Sequence, residues 1–245
     1  MLIDPQNSIL GVELEARLHS IRARLSRAAL AAGRSAESVT LVAVSKGQGE
    51  AAVRTLAALG VQHFGENYLQ EALPKIAALA DLPLTWHFIG RIQANKTRQV
   101  AAHFGWVHAV DRLHIATRLS EQRSAQLPPL NVCVQVNIAE DDAKAGVDVS
   151  DCGALVAAVQ PLSGLKLRGL MCMLPEHLAP GAQAEHFAEL RALLLQLNRE
   201  GAALDALSMG MSGDFEAAVS AGATLVRIGT ALFGPRDAAA AAQNA

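Results

Sequence analysis

Lys46 closes a short apolar run, Leu41-Val42-Ala43-Val44-Ser45-Lys46, and is followed at once by Gly47-Gln48-Gly49. An ammonium at the end of a buried strand must reach water, meet a counter-charge or give up its proton. Desolvation lowers a lysine pKa, and the neutral amine is a nucleophile toward aldehydes. The inert alternative is a lysine that snorkels into solvent. Far downstream, Gly210-Met211-Ser212-Gly213-Asp214 and Arg227-Ile228-Gly229-Thr230 each bring small residues and a hydroxyl to the start of a helical segment. Unpaired backbone N–H groups at such places suit an anion. Ser212 and Thr230 equally suit ordinary helix N-caps, and the acids Asp214 and Glu216 would oppose a phosphate. Arg227 shares its parity with Leu225, which points it inward at the end of its strand. A buried arginine stays charged and needs an acceptor, either a loop acid or a ligand atom with a free lone pair.

The elements that must position these residues follow from periodicity. Residues 9–32 space Leu14, Leu18, Ile21, Leu25 and Ala28 along one helical face and end at Gly33, a glycine stop. After that, strand-like runs at 41–46, 61–65, 86–90, 106–110, 131–138, 165–171, 204–208 and 223–228 each precede a helical pattern. Eight such alternations predict right-handed crossovers and a closed sheet. The fold expected is an α/β, (β/α)8 TIM-type barrel with an extra N-terminal helix and no second domain. It divides into a covering helix within 1–35, the barrel over 40–235 and a flexible alanine-rich tail at 236–245. Pro74 falls inside the helix after the second strand and should kink it or mark its true start. In Asn131–Ile138, Val132, Val134, Val136 and Ile138 share one face, leaving Asn131, Cys133, Gln135 and Asn137 to look into the barrel. Chemistry in such barrels sits at the C-terminal strand ends, and phosphate is often held after strands seven and eight. Lys46, Asn67, His87 and both small-residue loops fall at that end.

Composition removes other classes. With 21 Lys+Arg against 23 Asp+Glu, the net charge of −2 gives no electrostatic footprint for nucleic acid or an acidic membrane. No stretch has the roughly 18 apolar residues of a membrane span. Cys133, Cys152 and Cys172 show no CxxC spacing, and MLIDPQNS lacks the regions of a secretory signal, which points to the cytoplasm. Neither His103 and His108 nor His177 and His186 have the spacing of a facing ligand pair, so no metal is expected. His87 reads as a satisfied core residue pointing inward with Ile89, and Cys133 and Cys172 as small buried residues lining the lumen. No large apolar stripe remains once the helices are packed, which favours a monomer.

The motifs LVAVSK, HFGENYLQE, WHFIGRIQANK, NIAEDDAKAG, LRGLM, MGMSGDFEAA and VRIGTALFG, in this order and spacing, resemble the pyridoxal phosphate homeostasis protein family over roughly residues 8–235. These are single-domain relatives of the barrel of alanine racemase. The resemblance implies that Lys46 holds pyridoxal 5′-phosphate as a Schiff base. Arg227 would then face the pyridine nitrogen, Ser212, Gly229 and Thr230 would hold the phosphate, and Asn67 would lie beside the ring. It also implies binding, buffering and release of the cofactor without turnover, with no catalytic residue and with cofactor-dependent apo-enzymes as possible recipients. An arginine at the ring nitrogen cannot donate a proton as an acid would, which disfavours the pyridinium that carbanion chemistry uses. Two positions depart from the family's pattern. Gly47 stands where relatives usually carry threonine and is expected to loosen the loop that places Lys46, and Pro74 interrupts a helix that is usually unbroken. The enzymatic alternative is a cofactor-dependent amino-acid racemase, which needs an acid/base on each face of the substrate carbon; only Tyr68 and His87 could stand in. A cofactor-free Schiff-base aldolase acting on a sugar phosphate is the remaining alternative.

Overall fold

In the computed structural model, which describes residues 5–139, 141, 145–175 and 178–234, the strands close into a parallel barrel in chain order. They are β1 (Thr40–Val44), β2 (His63–Glu66), β3 (Thr85–Phe88), β4 (Trp106–Val110), β5 (Leu130–Gln135), β6 (Leu165–Met171), β7 (Ala206–Ser208) and β8 (Leu225–Ile228). Helix α1 (Pro5–Ala31) precedes β1, and a helix follows each strand. These are α2 (Glu50–Ala58), α3 (Leu69–Ala78), α4 (Thr97–His103), α5 (Leu113–Gln122), α6 (Val149–Val159), α7 (Pro180–Arg199), α8 (Phe215–Ser220) and α9 (Thr230–Phe233). The expected alternation is therefore found, with shifted ends. β1 stops at Val44, so Ser45 and Lys46 belong to the loop beyond it. α8 begins at Phe215 rather than Gly213. The tail at 236–245, His177 and part of the NIAEDDAKAG loop lie outside the described residues.

Side-chain alternation sorts the sheet into two cores. Ala43, Phe64, Phe88, Val107, Val132, Val134 and Val226 face outward to the helices, while Val42, Ala109, Cys133, Met171, Ala206 and Leu225 fill the barrel. The parity read from 131–138 thus holds at Val132, Val134 and Val136 on the outside and at Cys133 inside. Cys172 differs from its expected place. Met171 and Met173 take the inward positions beyond β6, which turns Cys172 out into the helix-facing core. Between β6 and β7 the backbones approach so closely that a Cβ on Gly169 would lie 1.7 Å from the Ala206 carbonyl oxygen.

The N-terminal helix is tied to the elements after strands seven and eight. Leu14, Leu18, Ile21 and Leu25 are buried, as spaced, against the main core. Arg17 donates to the Phe233 carbonyl at 2.9 Å, and Arg24 pairs with Glu216 at 2.6 Å while lying 4.5 Å over the Phe215 ring. Arg34, just beyond the helix, donates to the carbonyls of Val219 and Ala223. Helices α8 and α9, which frame the mouth of the barrel, are thereby fixed from behind.

Pro74 neither breaks nor starts its helix; it lies inside α3. Its ring is exposed, and the residue left without a helical N–H partner is Gln70, itself exposed, whose carbonyl can turn to water. The next residue, Lys75, is carried inward and buried. Pro74→Ala is expected to raise stability by about 1–2 kcal/mol, less than the full cost of a mid-helix proline because the unfolded chain gains entropy. The denaturation midpoint should rise with an unchanged slope.

Candidate functional site

The residues singled out at the strand ends converge. Lys46, Asn67, Ser212, Arg227, Gly229 and Thr230 all line one cavity of about 390 Å³, together with Val44, Ile89, Met173 and Met211. That volume lies at the small end of ordinary ligand pockets. Lys46 keeps the parity of Val42 and Val44, so its half-buried side chain reaches the cavity from the loop after β1. Asn67 is held by a close approach of backbones, because a Cβ on Gly90 would sit 2.2 Å from the Asn67 carbonyl oxygen. The Asn67 side-chain Oδ1 is buried without a hydrogen-bond partner, an amide edge left for a ligand.

Arg227 lies opposite Val42 in the β1–β8 pairing and projects inward, as its parity requires. It is 3% exposed. The loop acid that sequence offered as a partner is not what holds it. Nη1 donates to Ser208 Oγ at 2.6 Å and Nη2 to the Cys172 carbonyl at 2.8 Å, both neutral acceptors. Burial holds its pKa below the ordinary arginine value. Asp214 instead occupies the N-cap position of α8 and accepts from the Met211 N–H at 2.5 Å. Burial pushes its carboxyl up, against the Met211 amide and the Arg227 charge. Ser212 is consequently not the cap of α8. Its Oγ accepts from the Ala231 N–H at 3.2 Å and ties the loop after β7 to the first turn of α9, beside Gly229 and Thr230.

A buried ionic cluster that sequence reading did not single out brackets Lys46. Lys75 Nζ, with its side chain 5% exposed, donates to Glu66 Oε1 at 2.6 Å, to the Ser45 carbonyl at 2.7 Å and to Glu71 Oε1 at 3.1 Å. The Ser45 hydroxyl donates to Glu66 at 2.6 Å, and the Gly47 N–H donates to Glu71. Both neighbours of Lys46 are thus tied to one cluster. Gly47 has φ +72°, where a threonine would be strained. The loop is held rather than loosened at this position. Burial pushes the Glu66 carboxyl up, while Lys75 and Ser45 pull it down.

Below the cavity the lumen carries a second unforeseen arrangement. His63 Nδ1 lies 2.9 Å from His87 Nε2, His87 Nδ1 lies 2.8 Å from His108 Nε2, and His108 Nδ1 lies 2.7 Å from Ser208 Oγ. His87 is therefore the satisfied core histidine that sequence favoured. Burial, together with the neighbouring histidines, holds it well below the usual imidazole pKa; burial and the Arg227 charge bring His108 down to about 3. A histidine buried neutral stabilises the fold fully above its unfolded pKa of about 6.5, and that contribution is lost as pH falls toward its folded value. From His108 alone the loss at pH 5 is about 2 kcal/mol. Urea denaturation midpoints should fall steeply between pH 6.5 and 5, and His108→Gln should flatten that slope.

Tyr68, the chain's single tyrosine, is 48% exposed and lines a neighbouring groove with Arg91 and Lys96, not the Lys46 cavity. Among the described residues no cluster of histidine, cysteine and carboxylate side chains could hold a metal ion, and no helix is long and apolar enough to cross a membrane.

Comparison with known proteins bears on this geometry. Residues 17–237 match the family model described as alanine racemase, N-terminal domain. A pyridoxal phosphate homeostasis protein of Pseudomonas aeruginosa is 61% identical over 218 residues, 89% of this chain and 93% of the relative. One from Escherichia coli is 46% identical over 223 residues, covering 90% of this chain and 95% of the relative. The structure of PipY from Synechococcus elongatus with pyridoxal phosphate bound superposes with a TM-score of 0.81 at 39% identity, covering 90% of this chain and all of PipY. Alanine racemase from Corynebacterium glutamicum shares the fold, with a TM-score of 0.67 at 18% identity, and this chain covers 62% of it.

Proposed function

This chain belongs to the pyridoxal phosphate homeostasis protein family, and from that membership we propose that it binds, buffers and releases pyridoxal 5′-phosphate in the Lys46 cavity, with no turnover of its own. The observation that carries the reading is the meeting of Lys46 and Arg227 in one cavity with the small-residue turns at Ser212 and Gly229-Thr230. Bound there, the cofactor supplies an aldehyde that an amine can hold reversibly. Lys46 would hold it as a Schiff base. Arg227, a donor only, would meet the lone pair of the ring nitrogen, and its neutral acceptors Ser208 and Cys172 fix its plane for that task. Ser212, Gly229 and Thr230 would take the phosphate, and the unpartnered Asn67 Oδ1 would accept from a donor at the ring edge.

The same geometry argues against a racemase. Neither substitute base is in place: Tyr68 stands outside the cavity, and both ring nitrogens of His87 are engaged. An arginine at the ring nitrogen would also leave that nitrogen unprotonated, which disfavours the pyridinium electron sink. Recipients would be apo-enzymes that require the cofactor. A monomer in the cytoplasm fits the scattered exposed apolar residues, among them Val12, Leu113 and Leu195, and the three free cysteines.

The test is spectroscopic. The purified protein should show a visible absorption band that borohydride bleaches, and mass analysis after reduction should place the pyridoxyl group on the peptide bearing Lys46. A protein that takes up no pyridoxal 5′-phosphate, or one with sugar phosphate bound instead, overturns the reading. Racemisation of alanine or serine at an enzyme-like rate would overturn its non-catalytic part.

A further inference from the structure

The buried chain of Ser208, His108, His87 and His63 ends on Arg227 at one side and on a half-buried histidine at the other. His63 is the first residue of β2 and lines a separate cavity at the opposite end of the barrel, with Arg22, Glu37 and Gln62. Donors and acceptors along the chain are not interchangeable. A guanidinium can only donate, so Ser208 Oγ accepts from Arg227 and its single proton goes to His108 Nδ1. His108 must then carry its proton on Nε2 and donate to His87 Nδ1. His87 in turn donates from Nε2 to His63 Nδ1, which leaves the His63 Nε2–H facing the lower end. Any other assignment strands a buried proton or sets two donors against each other, which costs more than an ordinary hydrogen bond gains. Trp106 stacks on His87 at 5.6 Å between ring centroids and keeps its plane.

We propose that Ser208, His108, His87 and His63 are positioning residues that form a one-way donor chain, locking Arg227 in the orientation in which it meets the ring nitrogen of the bound cofactor. This rests on the cofactor-binding reading for its consequence, but the chain itself exists without ligand. Through it, the state of His63 at the lower cavity is coupled to the upper one, since a second proton on His63 Nδ1 would set it against the His87 donor and force the chain to reverse.

Two readouts test the proposal. In the apo-protein, long-range ¹⁵N–¹H correlation spectra should show His87 and His108 as neutral Nε2–H tautomers at pH 7, and the Arg227 Nη resonances should be separate because rotation is blocked. Ser208→Ala should merge those resonances and mix the His108 tautomers. An Nδ1–H tautomer at either histidine, or an Arg227 that rotates freely in the wild type, overturns the chain. With pyridoxal 5′-phosphate added, His108→Phe should weaken retention about tenfold, the worth of the one hydrogen bond that Ser208 loses, and shift the absorption maximum. His108→Gln, with an acceptor and a donor on one amide, should recover most of both. Wild-type affinity and spectrum in His108→Phe would overturn the coupling while leaving the tautomers to stand. If the wild type binds no pyridoxal 5′-phosphate, the functional reading fails, and the apo spectra still decide the chain. Should the phenylalanine variant not fold, the wild-type and Ser208→Ala spectra decide it alone.

Discussion

Lys46→Ala is expected to remove the visible absorption band entirely and to reduce borohydride-trapped pyridoxyl to background, with little change in the stability of the unliganded protein. Lys46 lies beyond the end of β1 on a loop whose neighbours, Ser45 and Gly47, are held by Lys75, Glu66 and Glu71. Truncating it therefore leaves the loop's anchors in place. The loss should also show as a thermal shift. A ligand at a hundredfold its dissociation constant stabilises the native state by about 2.7 kcal/mol, which at this size raises the melting temperature by roughly 5–10 °C. Wild-type protein should show that rise with pyridoxal 5′-phosphate and Lys46→Ala should lose most of it, since phosphate and ring contacts alone remain. A variant still trapped by borohydride would place the reactive amine elsewhere, and Lys75 would be the next residue to map.

Lys75→Met should cost about 3–5 kcal/mol, the usual penalty for removing one partner of a buried pair, and lower the melting temperature by roughly 10 °C. Glu66 is fully buried and would be left with the Ser45 hydroxyl as its remaining donor, and the Ser45 carbonyl would lose Lys75 as well. The double substitution Glu66→Leu with Lys75→Met separates charge burial from loop positioning. Matched apolar groups often replace a buried pair at no net cost, so stability should largely return. Retention of the cofactor should not, because Ser45 still lacks its side-chain partners Glu66 and Lys75. Full recovery of both would show that the cluster serves stability alone.

The dominant signals in this chain are local and periodic, and they carried far. Strand–helix alternation identified the barrel, since each apolar run can be buried only by the helix that follows it. Inward parity brought Arg227 to the site, and its relation to Leu225 is the reason: both face the lumen. Lys46, Asn67, Ser212, Gly229 and Thr230 were legible because they stand where strands end, which is where a barrel gathers its loops.

What stayed hidden depends on distances across the sheet. Lys75 and Glu71, four apart on a helix, look like an exposed pair, and the adjacent Pro74 argues for a helix boundary. Nothing nearby in sequence shows that α3 turns this lysine under the loop bearing Lys46. The histidine chain is similar. His63, His87 and His108 sit on β2, β3 and β4, and parity alone suggested only that His87 points inward. A register shift in the β4–β5 pairing between Val107 and Val110 interrupts simple alternation around His108. Ser208 is joined to it across 100 residues of sequence.

The amino-acid sequence by itself thus determined the barrel, the lysine at its mouth and the arginine facing it, because periodicity and strand ends are properties of short segments. Closure of the sheet decided how these groups are held. The stagger between strands and the packing of α3 set which buried donor meets which acceptor, and such pairings between distant segments exist only once the ring of strands is complete.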